Sequence, residues 1–438
     1  MKRASHRRGW VVAAGLALAA CDHGPSVPAD ARFGANPQLP APHHGLIPTV
    51  KFAKPIGWAA GQAPTAPPGF KVAAFAAGLV HPRWLYVLPN GDVLVAETNG
   101  PKGPPAKGLR AVAEKVVQGM VGAEVPSPDR ITLLRDSTGK GVADTRTVFL
   151  EGLHSPFGMT LVGDQLYVAD TDALLRFPYK AGETRITTAP VKVVDLPGGP
   201  IDHHWTKNVV ASPDGARLYV TVGSNSNVGE NGMAAERGRA AIWVVEPGSG
   251  GAREFATGIR NPNGLDFEPT TGVPWTVVNE RDELGDELAP DYLTSIRDGA
   301  FYGWPYSYWG NHVDARVKPP RPDLVASAAT PDYSLSSHVA PLGMTFYRGE
   351  AFPAPWRSGA FIGEHGSWNR STLSGYKVVF VPFAGGKPSG SPHDFLTGFL
   401  SAKDEARGRP VGVVEDRSGA LLVADDVGNA VWRVSPAP

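Results

Sequence analysis

Chemistry in this chain concentrates between Ala256 and Gly310. There Gly258-Ile259-Arg260-Asn261-Pro262-Asn263-Gly264-Leu265 sets a guanidinium beside two amides, on a loop that runs into an apolar strand. Residues Trp275 to Val278 form the next strand and deliver Asn279-Glu280-Arg281-Asp282-Glu283-Leu284-Gly285-Asp286-Glu287, a loop dense in carboxylates. A planar guanidinium grips carboxylates bidentately, and carboxylate oxygens suit hard cations. The stretch therefore fits a polyanionic ligand carried on a hard cation, with Asp282, Asp286 and Glu287 as candidate metal ligands. Either half alone reads sooner as a solvated turn with surface ion pairs. Both in one repeat unit, ahead of the aromatic corner Gly303-Trp304-Pro305-Tyr306, favour a site.

A second group of reactive side chains stands upstream in Asp202-His203-His204-Trp205. A histidine of near-neutral pKa takes a proton from a hydroxyl when it lies within hydrogen-bond reach. Its position in the repeat makes His204 the candidate base and turns His203 away from the channel. His338, Arg407 and Arg409 occupy comparable positions further on, and Arg370 sits in the polar run His365-Gly366-Ser367-Trp368-Asn369-Arg370. One mouth collecting these arginines would bind a ligand with several carboxylates.

The elements that must position these residues form a self-similar unit: a Pro-x-Gly-like corner, an apolar strand, a Gly/Asp/Asn turn and a second strand. The corners are Pro82-Arg83-Trp84, Pro156-Phe157-Gly158, Pro262-Asn263-Gly264, Pro341-Leu342-Gly343 and Pro410-Val411-Gly412, with His204-Trp205-Thr206-Lys207-Asn208 where a further corner is due. About six units at the spacing of four-stranded blades predict an all-β, six-bladed β-propeller. Corner loops converge at one end of the central channel, so His204, Arg260, Asn261, Asn263, His338, Arg407 and Arg409 are expected together there. The early strand Lys71 to Phe75 is expected to complete the last blade. Two departures interrupt the repeat: a short helical insertion around Leu109 to Met120, and a long aromatic connection from Asp291 to Pro341 that shapes the mouth.

Composition narrows the function. The 438 residues carry 42 basic and 42 acidic side chains, a balance that gives no footprint for nucleic acid. The single cysteine excludes an internal disulfide. It is Cys21, at the end of the run Leu18-Ala19-Ala20-Cys21, behind a basic start and an apolar stretch. Residues 1–21 therefore read as a lipoprotein signal, with Cys21 the lipidated residue that ties the protein to a membrane. Asp22 after it resembles an inner-membrane retention signal, so the expected place is the periplasm-facing cell envelope. Residues 22–68, rich in Pro and Ala, read as a flexible tether, and residues 69–438 as the propeller domain.

At the residues quoted above, the sequence resembles the soluble PQQ-dependent sugar dehydrogenases, the glucose and aldose sugar dehydrogenases and especially the L-sorbosone dehydrogenase-like branch. The resemblance runs from Phe70 to Val434, and Gly258 to Gly264 is its most specific piece. It implies a propeller holding pyrroloquinoline quinone (PQQ) and Ca²⁺ at the channel mouth. It places the base on His204, the quinone-side arginine on Arg260 and cofactor-contacting amides on Asn261 and Asn263. Arg407-Gly408-Arg409 matches a pair that holds cofactor carboxylates, Arg370 stands for a family lysine, and Asp286-Glu287-Leu288 ends the calcium loop. Arg281-Asp282 replaces the usual Gly-Pro there, and Lys207 falls one residue before the usual arginine. The expected activity is oxidation of an aldose or aldehyde sugar, with electrons leaving to an unidentified acceptor. A calcium-dependent propeller lactonase and a non-catalytic binding propeller are the alternatives.

Overall fold

The computed structural model of the protein describes residues 26–43, 49–101 and 125–437. Cys21 with its leader and the expected helix from Leu109 to Met120 lie outside these residues. Among the described residues no helix is long and apolar enough to cross a membrane.

Each corner in the sequence opens the innermost strand of a four-stranded antiparallel blade. In the first blade, Pro82–Val87, Val93–Glu97, Arg130–Arg135 and Thr145–Glu151 pair in order. The second runs from Met159–Val162 to Val191–Asp195, and the third from Val209–Ala211 to Ala252–Thr257. Asn261–Phe267, Pro274–Asn279, Pro290–Ser295 and Tyr333–Ser337 make the fourth. The fifth begins with Pro341–Phe346 and the sixth with Pro410–Glu415, completing the six-bladed propeller. Phe70–Ala77 pairs with Ala430–Pro436 in the register Val72↔Val434, so the ring closes by joining the two ends of the domain, as the sequence predicts.

The Pro-x-Gly motif has a packing reason. A Cβ on Gly158 would collide with the backbone at Asn208 and Val209, on Gly264 with Met344, on Gly343 with Val411, and on Gly412 with Arg83 and Trp84. Each of these glycines lets its innermost strand press directly on the backbone of the next blade. Between the first two blades Trp84 packs instead on Phe157, with the rings tilted by 34° and their centroids 4.7 Å apart. Buried apolar side chains from neighbouring blades fill the remaining gaps, for example Val277, Leu335, Met344 and Ile362.

Two expectations change. Residues 26–43 and 49–68 are not a free tether. Phe33–Gly34 adds a fifth strand to the fourth blade, Ala53 is fully buried, and the Trp58 indole donates to Asp425 at 2.7 Å. Proline-rich chain lacks ladder hydrogen bonds but still packs as an extended strap when isolated carbonyls and amides meet partners. The connection from Asp291 to Pro341 is also shorter than expected, because Pro290–Ser295 and Tyr333–Ser337 are the outer strands of the fourth blade. Its remaining loop carries a small hairpin, Ser307–Tyr308 with His312–Val313, and the short helix Pro322–Ser327. Fully buried Arg281 ties this loop down, donating to Pro305 O at 2.8 Å, Ser307 O at 2.6 Å and the Asp314 carboxylate at 3.1 Å.

Candidate active site

Antiparallel alternation brings the starts of the innermost strands and the ends of the second strands to the same end of the ring. A cavity of about 210 Å³ opens there. His203 and His204 before the third blade and Arg260 and Asn261 at the head of the fourth form one wall. Asn279, Glu280, Asp282 and Asp291 come from the end of the fourth blade's second strand and the start of its third. His338, Ala340 and Trp368 complete the lining.

His204 is held with a defined polarity. Its Nδ1 lies 2.8 Å from Ser224 O, an atom that only accepts, so the ring proton sits on Nδ1 and Nε2 carries the lone pair. The Ser224 hydroxyl, 3.0 Å from the same nitrogen, donates onward to Ser226 O at 2.7 Å. Burial, then the charges of Arg260 and His203, hold His204 well below the usual imidazole range. It is therefore a neutral base at physiological pH. Gly223 permits the arrangement, because a Cβ there would collide with both His204 and Asn261.

Behind this base lies a buried charge cluster. The Lys207 ammonium donates to Trp205 O at 3.0 Å and His204 O at 3.4 Å, and stands 3.6 Å from Asp202. Arg239 pairs with the same Asp202 carboxylate at 3.0 Å. Burial brings Lys207 down to about 8 despite Asp202.

Arg260 is 3% exposed. It donates to the carbonyls of Asn227 (3.2 Å), Asn279 (3.3 Å) and Glu280 (2.8 Å), to Asn227 Oδ1 (3.0 Å) and to Asp282 (3.1 Å). Its N–H groups are thus engaged by protein, and it acts on the cavity through its charge. Asp282 also faces His338 Nδ1 at 3.5 Å, while His338 Nε2 lies 3.0 Å from Gly285 O. Burial opposes a charge on His338, but Asp282 prevails and raises it. Burial pushes Asp291 up to about 7, although the amides of Glu280 and Ala340 donate to it at 2.7 and 2.8 Å.

Of the residues expected here, His204, Arg260, Asn261, His338 and Asp282 meet in the cavity. Others do not line it. Asn263 is fully buried behind the wall, its side chain accepting from Thr206 at 2.8 Å and its carbonyl from Asn208 at 3.1 Å. Arg407 is spent on the carbonyls of Gly398 and Leu400, both at 3.2 Å. Arg370 bonds Asp286 O at 3.0 Å and the Glu287 carboxylate at 2.6 Å. Arg409 donates to the Tyr376 hydroxyl at 2.9 Å and lies over its ring, with Nε unpartnered.

The carboxylates expected to share a metal are not gathered. Asp282 serves Arg260 and His338, Asp286 accepts from the Ser371 amide and hydroxyl, and Glu287 pairs with Arg370 and with Arg32 at 2.9 Å. Among the described residues no group of His, Cys, Asp and Glu could hold an ion by itself. His203 is corrected too: it lines the cavity, edge-on to His204 at 4.7 Å.

Sequence reasoning missed Asn279, Glu280, Asp291 and Trp368. It also missed a carboxylate across the ring, Asp426, which meets Arg83 at 2.5 Å, His365 at 2.9 Å and His81 at 3.8 Å. A signal did exist, since Glu97, Asp170, Glu280, Glu364 and Asp426 all stand at or just after the end of a second strand.

The residues present fit a planar anion such as PQQ. Arg260 supplies fixed positive charge, and Asp282 is taken up by Arg260 and a His338 whose proton affinity it raises. Burial pushes Asp291 up to about 7, and the unpartnered Asn261 side-chain oxygen would accept from a ligand N–H or O–H.

Comparison with known proteins bears on the family and the fold. A family model described as Glucose / Sorbosone dehydrogenase matches residues 161–379, half of the chain, and a TrAA12-like model matches residues 324–437. An aldose sugar dehydrogenase of Escherichia coli is 31% identical over 113 residues, which span 26% of this chain and 29% of that protein. A pyrroloquinoline quinone-dependent pyranose dehydrogenase of Coprinopsis cinerea is 23% identical over 357 residues, 72% of this chain and 44% of that protein. The PQQ domain of a Coprinopsis cinerea pyranose dehydrogenase, in its holo form, shares the fold with a TM-score of 0.69 at 21% identity, covering 87% of this chain and 99% of that one.

Proposed function

The chain belongs to the glucose/sorbosone dehydrogenase family and is a sugar oxidoreductase; from that premise we propose that it oxidises an aldose or an aldehyde sugar, glucose-like or sorbosone-like, with PQQ as cofactor and His204 as base. The observation that carries this reading is the polarity of His204. Its Nδ1–H is committed to Ser224 O at 2.8 Å, which leaves Nε2 as a lone pair on a ring that lines the cavity. That nitrogen takes the proton of the anomeric hydroxyl, or of an aldehyde hydrate. The C–H electron pair leaves as hydride, and the carbon becomes a lactone or acid carbonyl. When bound, PQQ supplies the acceptor for that hydride.

Asn261 and His338 would hold the cofactor from the cavity wall, with Arg260 acting through its charge. Arg409, held on Tyr376 outside the lining, would join them only if a cofactor carboxylate reaches its free Nε. The fixed charge of Arg260 favours negative charge developing near it, at no cost in reorganisation. Calcium dependence belongs to the proposal but stays outside the step, because Asp282, Asp286 and Glu287 each hold another partner. The electron acceptor is a separate partner. We place the protein on the periplasmic side of the inner membrane through Cys21.

The test is dye reduction by purified protein loaded with PQQ and Ca²⁺, across aldoses, aldehydes and lactones. His204→Ala is expected to lower turnover by about 10²- to 10⁴-fold with PQQ still bound. Lactone hydrolysis without dye reduction would identify a lactonase, and neither activity a binding propeller.

A further inference from the structure

Trp368 is 37% exposed, and among the described residues it is the one large apolar side chain left in solvent that lines the cavity. An indole has an apolar face and a polar N–H, a combination suited to ligands that are apolar on one face and wet on the other. Its setting is built rather than incidental. The Lys51 amide donates to Trp368 O at 2.9 Å, and Asn369 donates to Thr49 O at 2.6 Å while accepting from the Glu283 amide at 2.8 Å. The Phe52 ring lies parallel to the indole within 3°, with centroids 6.3 Å apart. Residues 49–51 of the N-terminal strap and the acidic loop thus hold the backbone at Trp368 and Asn369, and Phe52 is the neighbour that lies along the indole itself.

We propose that Trp368, braced by Phe52, is the platform on which the sugar ring of the substrate lies, which makes it a specificity-determining residue of the same site. The proposal rests on the dehydrogenase reading above. Its chemistry is that of an aldose in ring form. One face of such a ring presents C–H groups that pack on an aromatic plane, and its hydroxyls turn to polar neighbours. The charged groups of the cavity are buried, as a bound anion requires. A neutral polyol offers no charge to pair, so its binding draws on hydrogen bonds to its hydroxyls and on an apolar surface for its C–H face, and the rim supplies that surface. The strap is therefore part of the substrate site, and an aldehyde in open-chain form would gain less from it than a pyranose.

The experiment compares wild type, Trp368→Ala, Trp368→Phe and Phe52→Ala, each loaded with PQQ and checked for an unchanged melting curve. Steady-state dye reduction is measured with a pyranose panel, and PQQ affinity by titration. Trp368→Ala is expected to raise KM about tenfold with kcat within about threefold and PQQ affinity unchanged. Trp368→Phe should recover most of the loss, and Phe52→Ala should raise KM about two- to threefold. An unchanged KM in Trp368→Ala overturns the proposal, as does a matching loss of PQQ affinity, which would put the indole on the cofactor. Should wild type oxidise no sugar, the dehydrogenase reading fails separately. Saturation-transfer NMR of glucose on the PQQ-loaded protein then decides the platform. A glucose signal that vanishes in Trp368→Ala supports it, and one that persists there, or that wild type never shows, overturns it.

Discussion

Replacing Lys207 by methionine separates what this buried ammonium does for stability from what it does for catalysis. Burial moves its proton affinity from 10.5 down to about 8, worth about 3 kcal/mol at roughly 1.4 kcal/mol per tenfold. Because the folded value is the lower one, this cost is fully present below pH 8 and disappears as pH rises from about 8 to 10.5. Methionine recovers it. Against that, His204 O loses its donor, at about 1–3 kcal/mol for an unpaired buried carbonyl. Trp205 O keeps the Thr171 hydroxyl at 2.9 Å, and Asp202 keeps Arg239 at 3.0 Å. The two sides nearly cancel, so Lys207→Met should change unfolding free energy by less than about 2 kcal/mol. The catalytic effect does not cancel. The lysine pins the carbonyl of the base and that of the residue after it, and a displacement of about 1 Å costs up to about 10² in rate. Denaturant titration and steady-state dye reduction on the PQQ-loaded protein should therefore give near-native stability, unchanged PQQ affinity and a kcat lower by about 10- to 100-fold. A variant that loses more than about 4 kcal/mol while keeping kcat would assign Lys207 to the scaffold and refute the reasoning.

Other outcomes follow from the same geometry. Arg409→Ala should weaken PQQ binding by about 2–5 kcal/mol if its guanidinium meets a cofactor carboxylate, read by titration, whereas unchanged affinity removes it from the site. Burial pushes Glu364 up to about 8. Its folded state holds the proton more tightly than the unfolded chain, so stability falls as pH rises from about 4.5 to 8. Glu364→Gln should then gain up to about 3 kcal/mol at pH 7 and nothing at pH 4, measured by melting at both. Cys21→Ser should move the protein from the membrane fraction to the soluble one, and continued membrane association would discard the lipid anchor.

The fold was legible because its signal is repeated. Glycines at 158, 264, 343 and 412 mark the places where one blade's backbone meets the next, and the corner prolines set their phase. The site was legible where it follows that phase, as at His204, Arg260, Asn261 and His338. Phase alone cannot report what a long side chain finds nearby. Arg370 and Arg407 stand at the right end of the ring, but Glu287 and the carbonyls of Gly398 and Leu400 reach them first. Asp291 and Trp368 were missed because each belongs to the cavity through neighbours distant in sequence, Ala340 for one and Phe52 for the other. The strap from residue 49 to 68 was misread for the same reason, since its partners lie hundreds of residues away.

The pairing of Phe70–Ala77 with Ala430–Pro436 also orders events in time. One of these strands is among the first parts of the propeller to be synthesised, and the other is nearly the last. The early strand must wait, unpaired, until the whole domain exists, because contacts of such long range form late. Its composition suits the wait: Phe70-Lys71-Val72-Ala73-Ala74-Phe75-Ala76-Ala77 is half alanine and carries a lysine, a poor template for edge-to-edge association. The mouth that collects His204, Arg260 and His338 becomes a closed rim only when the final strand docks. A chain that stopped short of Ala430 would keep each earlier blade's hydrogen-bond pattern yet leave two sheet edges open, and would be expected to associate with other chains before it could take up a cofactor.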